Sequence, residues 1–200
     1  MIEIDVHMID ANKYSLQELL SSPFLNDKNL EELKKYKVEQ TKKEKAASMI
    51  FKNRYVGEYY LNEYGKPLSK TKYFNISHSH GLVVYVEDNN PIGIDVEKTR
   101  PVSEELKRYI CLDEEYRYIK NDLDFFSIWT NKESLVKTIG TGLNGDIKNV
   151  PALPLNDERS FKGAIYYSRL LFHGPYLISI TICSKEHFAL NPRVIYDPIK

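Results

Sequence analysis

The segment 91–101, PIGIDVEKTRP, constrains the fold more than any other part of the chain. Aliphatic residues at positions 92, 94 and 96 alternate with Gly93, Asp95 and Glu97, and this period of two predicts a strand with one apolar face. Asp95 and Glu97 would then lie about 6.6 Å apart on the same side, where their charges repel each other. Such a face is either open to water or binds a cation. Gly93 adds no side chain to it and leaves room for a close approach to the backbone.

Composition limits the classes of protein to which the chain can belong. Its 200 residues are 42% hydrophobic, which is enough for one large domain or two small packed halves. The net charge of zero gives no indication of a nucleic-acid or membrane partner. Cys111 and Cys183 stand in apolar surroundings, as buried thiols do in a reducing compartment. Residues 1–10 predict a first strand instead of a signal peptide, so we expect a cytoplasmic protein.

Helical and strand-like patterns alternate along the chain. A long helical pattern covers 38–61, and Ser103 with the acids after it predicts the start of another helix. The residues 88–91, DNNP, predict a hairpin between two strands. Together these patterns predict an α+β fold with antiparallel strands. The other predicted elements are strands at 2–8, 82–87, 92–97, 161–168 and 176–183 and a helix at 124–139 that ends at Gly140.

One face of the predicted helix 124–139 is chemically unusual. Trp129, Glu133 and Lys137 recur at intervals of four, and Lys132 lies next to them. One interpretation is a surface ion pair between Glu133 and Lys137, worth about 0.2–0.5 kcal/mol, beside Trp129 as a core residue. The other is functional: Trp129 fixes the helix, Glu133 binds a metal ion, and the two lysines bind phosphate oxygens. The pattern alone leaves both interpretations open.

Two further segments carry polar groups that are suited to anions. The run 74–81, FNISHSHG, predicts a turn of small polar residues before a strand, and His78 within it can carry a charge. Such turns are common, so anion binding is one of two interpretations. Lys66 stands in the sequence YGKP, which predicts a lysine on a rigid turn.

Four motifs occur together in a fixed order. YGKP, FNISHS-x-G, IGIDVEKT and IWTNKESLVKTIGTGL follow one another between Tyr64 and Leu143. In wording, order and spacing they resemble the Sfp-type 4′-phosphopantetheinyl transferases. The resemblance implies two similar α+β lobes, 1–100 and 101–200, which are related by a pseudo-twofold axis and hold the active site in the cleft between them. It also implies a monomer with an internal pseudo-dimer.

An activity is implied by the same resemblance. Members of this family move the phosphopantetheine arm of coenzyme A to a serine of an acyl or peptidyl carrier protein and release adenosine 3′,5′-bisphosphate. By motif, Asp95, Glu97 and Glu133 would hold Mg²⁺ together with the pyrophosphate of coenzyme A. Carboxylates from a strand and a helix agree with the preference of this cation for oxygen ligands.

Further roles are implied for the other motif residues. Lys137 would contact the phosphate under attack, and Glu133 or a metal-bound water molecule would accept the proton of the serine. Coenzyme A would be held by several polar side chains: Ser77 and His78 at its phosphates, Lys66 at the nucleotide, Thr99 as a further contact, and Lys45, or its neighbours Lys42 and Lys43, at the 3′-phosphate.

Two other classes of function compete with this one. A non-catalytic relative could bind coenzyme A or a carrier protein without transfer, although it would have little need for three carboxylates and Lys137. A different Mg²⁺-dependent phosphotransferase or pyrophosphohydrolase could use the same carboxylates without a protein acceptor. The sequence contains no Walker-type glycine loop, so a nucleotide kinase is not indicated.

Overall fold

Strand pairing divides the molecule into two four-stranded sheets and a short hairpin. The computed structural model of the chain describes residues 2–140, 142, 147–186 and 189–200, so Thr141 and Leu143 of the last motif lie outside the described residues. The strands are β1 Ile2–Asp10, β2 Tyr60–Leu61, β3 Pro67–Leu68, β4 Tyr73–Ser79, β5 Leu82–Asp88, β6 Ile92–Lys98, β7 Glu158–Phe161, β8 Ala164–His173, β9 Tyr176–Cys183 and β10 Leu190–Tyr196. The first sheet has the order β10-β1-β5-β4, the second has the order β6-β9-β8-β7, and β2 and β3 form the hairpin.

Helices connect the strands and end at recognisable caps. Ser103 accepts a hydrogen bond from the Leu106 amide at the start of the predicted second helical region, which confirms that helix start. The longest helix begins after Asn121, two residues before the prediction, and ends at Gly140 with a φ of +81°. No helix within the described part of the chain is long and apolar enough to cross a membrane. The helices are α1 Leu16–Leu20, α2 Asp27–Leu33, α3 Glu39–Phe51, α4 Glu104–Ile110, α5 Asp113–Tyr118 and α6 Asp122–Ile139.

The core lies between the two sheets and extends outward beneath the helices. The inner faces of the sheets meet through aliphatic side chains such as Val84 in β5 and Ile94 in β6. The outer face of the first sheet packs against α1, α2 and α3, and that of the second packs against α4, α5 and α6. Burial of apolar surface on both faces of each sheet stabilises this arrangement. The predicted α+β class with antiparallel strands is confirmed, although β1 and β10 pair in parallel.

The two sheets exchange strands between the halves of the sequence. β6 pairs antiparallel with β9 in the second sheet, although it precedes residue 100. β10 returns to the first sheet beside β1. Pairing therefore crosses the predicted boundary at residue 100 in both directions. The division into lobes 1–100 and 101–200 and the pseudo-twofold axis stay predictions.

Three local predictions are wrong. The segment 88–91 is not a hairpin, because β5 and β6 belong to different sheets. The helix predicted over 38–61 ends after a π-helical turn at Lys52–Val56, where Gly57 has a φ of +71°. The run 74–81 is mostly strand, since its side chains alternate between two packed faces along β4 and the turn comes only at His80.

Strands β4 and β6 lie side by side at the junction of the two sheets without pairing directly. Side chains on one face of β4 take the place of a backbone partner. The amides of Ile94 and Lys98 donate to Asn75 Oδ1 at 2.9 Å and to Ser79 Oγ at 3.2 Å. Between them, Ser77 Oγ donates to Asp95 at 2.9 Å. The junction satisfies backbone donors on an edge strand and fixes β4 against the acidic face of β6.

Gly93 allows helix α6 to lie directly on β6. A Cβ atom at this position would be 2.3 Å from the Ser134 carbonyl oxygen and 2.5 Å from the Thr138 amide nitrogen. The predicted close approach to the backbone at Gly93 is therefore confirmed, and the approaching element is helix α6. Because Glu133 and Lys137 flank this contact on α6, the glycine also sets their height above the sheet.

We expect Gly93→Ala to destabilise the protein by about 1–3 kcal/mol, since both clashing atoms belong to the backbone of α6 and cannot rotate away. The free energy of unfolding measured in urea would check this. Ser160→Ala, at an exposed position of β7 in the same sheet, is the matched control. A Gly93→Ala protein as stable as the control would show that α6 does not depend on this close approach.

Candidate active site

Four side chains from three elements meet above the junction of β4 and β6. Lys137 of α6 donates to Asp95 Oδ1 at 2.6 Å and to Ser77 Oγ at 2.9 Å. Glu133 stands one turn before Lys137 on the same helix, and the charges of Asp95 and Lys137 both act on it. The structure thus brings Ser77, Asp95, Glu133 and Lys137 together, and the roles predicted for them stay predictions.

Helix α6 is held in place by polar contacts on its underside. Ser134 lies within hydrogen-bond distance of the Ser179 hydroxyl at 2.9 Å and of the Thr181 hydroxyl at 2.7 Å, both on β9. Thr138 donates to the Thr181 carbonyl at 2.9 Å. These buried hydrogen bonds fix the rotation of the helix about its axis, so that Glu133 faces Asp95.

Glu133 is buried in a negative environment. The pKa of Glu133 is raised to about 7, chiefly by burial and also by the charge of Asp95, although Lys137 acts in the opposite direction. Among the described residues, Glu133 Oε1 has no hydrogen-bond partner. A buried carboxylate oxygen without a donor is costly unless a ligand completes the site.

Asp95 shows the same features. Burial raises the pKa of its carboxyl above the ordinary value, while Lys137 and Ser77 oppose that shift and Glu97 adds to it. Its Oδ1 accepts hydrogen bonds from Lys137 and Ser77, but within the described residues Oδ2 has no partner. Asp95 and Glu133 therefore each hold one buried carboxylate oxygen without a partner among the described residues, and their charges act on each other. Such oxygens are donors suited to a hard cation.

Glu97, the third predicted metal ligand, is bound by its protein neighbours. Its Oε2 accepts from Ser79 at 2.9 Å and from Arg100 at 3.1 Å, and its Oε1 accepts from Trp129 at 3.3 Å. In the part of the chain that the structure describes, no three acidic, histidine or cysteine side chains form a ready-made metal site. Asp95 and Glu133 fit a cation as they stand, whereas Glu97 would first exchange one of these hydrogen bonds.

The β2–β3 hairpin places Lys66 at the end of α6. Lys66 Nζ donates to the Lys137 carbonyl, and it lies 3.4 Å from the Thr138 carbonyl oxygen. Burial lowers the pKa of Lys66 to about 8. An ammonium group is favourable here because the carbonyls at a helix C-terminus carry partial negative charge.

A cavity of about 270 Å³ lies between this hairpin and α6. It connects the YGKP turn with the carboxylate centre, because residues of both segments line it. A larger cavity of about 640 Å³ lies elsewhere, around Cys183 and Gly163, and is lined by none of the predicted site residues. The smaller cavity is therefore the candidate binding space. Its lining includes Tyr64, Lys66, Asn75, Glu133, Lys137 and Gly140.

His78 and Lys45 form a second polar group on the opposite face of β4. Adjacent residues of a strand point to opposite sides, so Ser77 faces β6 while His78 faces α3. His78 Nε2 lies 3.4 Å from Lys45 Nζ, and His78 Nδ1 lies 2.9 Å from Glu44 Oε2. Lys45 and His78, which were predicted separately as contacts of coenzyme A phosphates, thus lie next to each other, and these roles stay predictions. Arg54, nine residues after Lys45, instead contacts the Pro198 carbonyl at 3.0 Å.

Lys132 does not bind a phosphate from this position, so that prediction is wrong. Its side chain is fully buried, and Nζ lies 2.7 Å from Glu115 Oε2. The same ammonium donates to the carbonyls of Lys148 at 2.9 Å and Val150 at 2.7 Å. Glu115 also accepts from the Leu112 amide at the start of α5. This buried pair joins α5, α6 and the loop after α6.

Thr99 lies just after β6 and contacts the turn between β8 and β9. Both its amide and its hydroxyl donate to the Pro175 carbonyl, at 2.9 Å and 3.1 Å. Its predicted contact with coenzyme A stays a prediction. Asn75, Ser79 and Glu44 contact site residues but were missed from the sequence, and the alternation of polar and apolar residues along 74–79 was the signal that pointed to the first two.

The segment that contains this centre has known relatives. Residues 91–186 match the family model of the 4′-phosphopantetheinyl transferase superfamily, and this range includes β6, α6 and all three predicted metal ligands. The matched part of the chain is therefore similar in sequence to that superfamily. The resemblance to the Sfp-type enzymes is confirmed by sequence comparison as well.

Individual relatives match the chain over a limited length. The chain is 42% identical over 91 residues to the 4′-phosphopantetheinyl transferase Sfp of Bacillus subtilis, which covers 41% of each chain. It is 37% identical over 89 residues to the 4′-phosphopantetheinyl transferase gsp of Aneurinibacillus migulanus, covering 41% of this chain and 38% of that protein. HetI of Nostoc is 35% identical over 94 residues, with 40% of each chain covered. The chain thus spans about two fifths of the length of these relatives.

The raised pKa of Glu133 predicts how stability depends on pH when no divalent cation is present. Its contribution to the free energy of unfolding is fully present below the ordinary pKa of 4.5 and is lost as the pH rises through about 7. Glu133→Gln removes this dependence, and at about pH 8 we expect it to be more stable than the natural protein by about 2 kcal/mol.

Urea unfolding at several pH values in the presence of a chelator would measure the effect. Glu105→Gln, at an exposed position of α4, is the control and should follow the natural protein at every pH. If the natural protein and Glu133→Gln lose stability in parallel between about pH 5 and pH 8, Glu133 does not titrate as stated.

Proposed function

We propose that the chain transfers the 4′-phosphopantetheine arm of coenzyme A to a serine of an acyl or peptidyl carrier protein, in a Mg²⁺-dependent reaction that releases adenosine 3′,5′-bisphosphate. One observation carries the proposal. Within the described residues, Asp95 and Glu133 hold unpaired carboxylate oxygens beside Lys137, in a segment that is similar in sequence to the transferase superfamily. The activity in the names of the relatives supports the same conclusion.

The two unpaired oxygens are the proposed ligands of Mg²⁺. Asp95 Oδ2 and Glu133 Oε1 would bind the ion, and Glu97 would join them after exchanging one of its hydrogen bonds. When bound, Mg²⁺ neutralises charge on the pyrophosphate oxygens and on the leaving nucleotide. An opposite charge between the two carboxylates would also lower their pKa values and relieve the cost of burying them together.

Lysine side chains are placed to contact the phosphates. Lys137 already donates to Asp95 and Ser77, and about a quarter of its side chain, 27%, is exposed, so it can contact an oxygen of the phosphate under attack. Lys66 lines the same cavity. Lys45 and His78 form a separate group of nitrogen ligands across β4. Two separate groups of this kind suit a ligand that carries both a pyrophosphate and a 3′-phosphate.

The transfer step requires an acceptor for one proton. The serine oxygen bonds to the phosphorus that carries the pantetheine arm, and the bridging oxygen of the pyrophosphate leaves with the nucleotide. The proton of the serine hydroxyl passes to Glu133 or to a water molecule in the site. Because Mg²⁺ beside Glu133 would lower the pKa of this carboxylate, the proposed cation favours the water molecule as the acceptor.

The finer architecture belongs to the proposal too. Each sheet carries three helices on its outer face, and the carboxylate centre lies where the two sheets meet. This supports two lobes related by a pseudo-twofold axis, with the site between them. A monomer that acts in the cytoplasm is also part of the proposal, but it does not follow from this arrangement. Thr99 would complete the contacts with coenzyme A near the end of β6.

Asp95→Ala and Glu133→Gln should each lower transfer by at least about a hundredfold, since each removes a charge next to the reacting phosphates. Mass spectrometry of a carrier protein after incubation with coenzyme A and Mg²⁺ measures the attached arm. Glu105→Gln is the control variant and should transfer at the natural rate. Natural activity in Asp95→Ala or Glu133→Gln would remove that residue from the mechanism.

Removal of divalent cations with a chelator should stop transfer, because the unpaired oxygens of Asp95 and Glu133 then lose their counter-charge. Addition of Mg²⁺ in excess should restore transfer. Liquid chromatography of the nucleotide products in parallel reactions with and without carrier protein separates the competing functions. Nucleotide release that needs the carrier supports a transferase, whereas release without it indicates a hydrolase. Transfer that continues in excess chelator would contradict the metal site.

A further inference from the structure

A buried carboxylate on α3 holds the imidazole of His78. Glu44 Oε2 lies 2.9 Å from His78 Nδ1, and Glu44 is only 7% exposed. The residue belongs to none of the four motifs, and it lies outside the segment that matches the transferase superfamily. Through its contact with His78, Glu44 thus adds to the site a residue that lies outside the matched segment.

Glu44 is itself fixed by other donors. Its Oε1 accepts from the Gly81 amide at 2.6 Å and from Gln40 at 3.3 Å. Burial raises the pKa of Glu44, but the hydrogen bonds from His78, Gly81 and Gln40 together hold it below the ordinary value. The carboxylate is therefore ionised near neutral pH and has one oxygen directed at the ring of His78.

This contact determines which ring nitrogen is available for a ligand. An ionised carboxylate can only accept, so Nδ1 must carry a proton towards Glu44. Nε2 is then the nitrogen that faces Lys45 Nζ, at 3.4 Å. Nε2 donates to an anion beside Lys45 when the ring carries a second proton, and the imidazolium form is the one that the carboxylate of Glu44 favours. Because the rotation of the ring is already fixed, binding of the anion costs less entropy.

We propose that Glu44 is a positioning residue that holds His78 with Nε2 directed at a phosphate group of coenzyme A bound between His78 and Lys45. The inference rests on the proposed function for its ligand. It adds the means by which His78 is oriented before coenzyme A arrives. A rival explanation is that Glu44 only fastens α3 to the β4–β5 turn through Gly81.

A double-mutant cycle separates these explanations. Binding of coenzyme A would be measured by isothermal titration calorimetry for the natural protein, Glu44→Gln, His78→Ala and the double variant. We expect Glu44→Gln to weaken binding about tenfold in the natural background and to have no further effect once His78 is absent. Glu39→Gln, at an exposed position in the first turn of the same helix, is the matched control and should bind normally.

The orientation of the ring can be measured without any ligand. Nitrogen NMR of the His78 ring, assigned by its loss in His78→Ala, should show a proton on Nδ1 in the natural protein and a shift of that proton towards Nε2 in Glu44→Gln. Urea unfolding of each variant would show whether it folds. A spectrum that Glu44→Gln leaves unchanged, or a loss of affinity that is the same with and without His78, would overturn the inference. Absence of coenzyme A binding by the natural protein would instead refute the proposed function, and the ring spectrum would still decide the positioning role.

Discussion

The close contact of helix α6 with strand β6 at Gly93 determines the rest of the site. Gly93 has no Cβ atom, and a Cβ atom there would collide with the backbone of the helix. Helix α6 therefore lies close enough to β6 for Lys137 to contact Asp95 and for Glu133 to lie near it. Hydrogen bonds from Ser134 and Thr138 to β9 hold that position from below. Packing of α6 on the sheet thus fixes the positions of Asp95 and Glu133. The stability of the core offsets the electrostatic repulsion between these two carboxylates.

The junction of the two sheets provides the other half of this arrangement. Ser77 on β4 contacts Asp95 on β6 across a boundary where the strands exchange side-chain hydrogen bonds instead of backbone ones. On the opposite face of β4, His78 meets α3. One strand therefore connects a negative centre that suits a cation with a group of nitrogen ligands that suits a phosphate. A ligand with phosphates at both ends of a nucleotide matches this arrangement.

Much of the centre could be predicted from sequence because its signals are local. The alternation at 92–97 identified a strand with Asp95 and Glu97 on one side, and the spacing of four placed Glu133 and Lys137 on one helix face. Contacts between distant segments could not be found in this way. Lys132 lies on the same helix as Lys137 and beside Glu133, so the sequence gives both lysines similar roles. Lys132 is nevertheless buried against Glu115, and this contact between distant positions could be identified only from the structure. The hairpin predicted at 88–91 failed for the same reason, since a short turn does not reveal which sheet the next strand will join.

A crystal structure of the protein with coenzyme A and Mn²⁺ in place of Mg²⁺ tests the central claim most directly, since the anomalous scattering of manganese locates the ion independently. We expect one strong peak about 2.1–2.2 Å from both Asp95 Oδ2 and Glu133 Oε1 and in contact with the pyrophosphate. A peak only at another place on the molecule, with coenzyme A bound away from these carboxylates, would contradict the assignment of this centre.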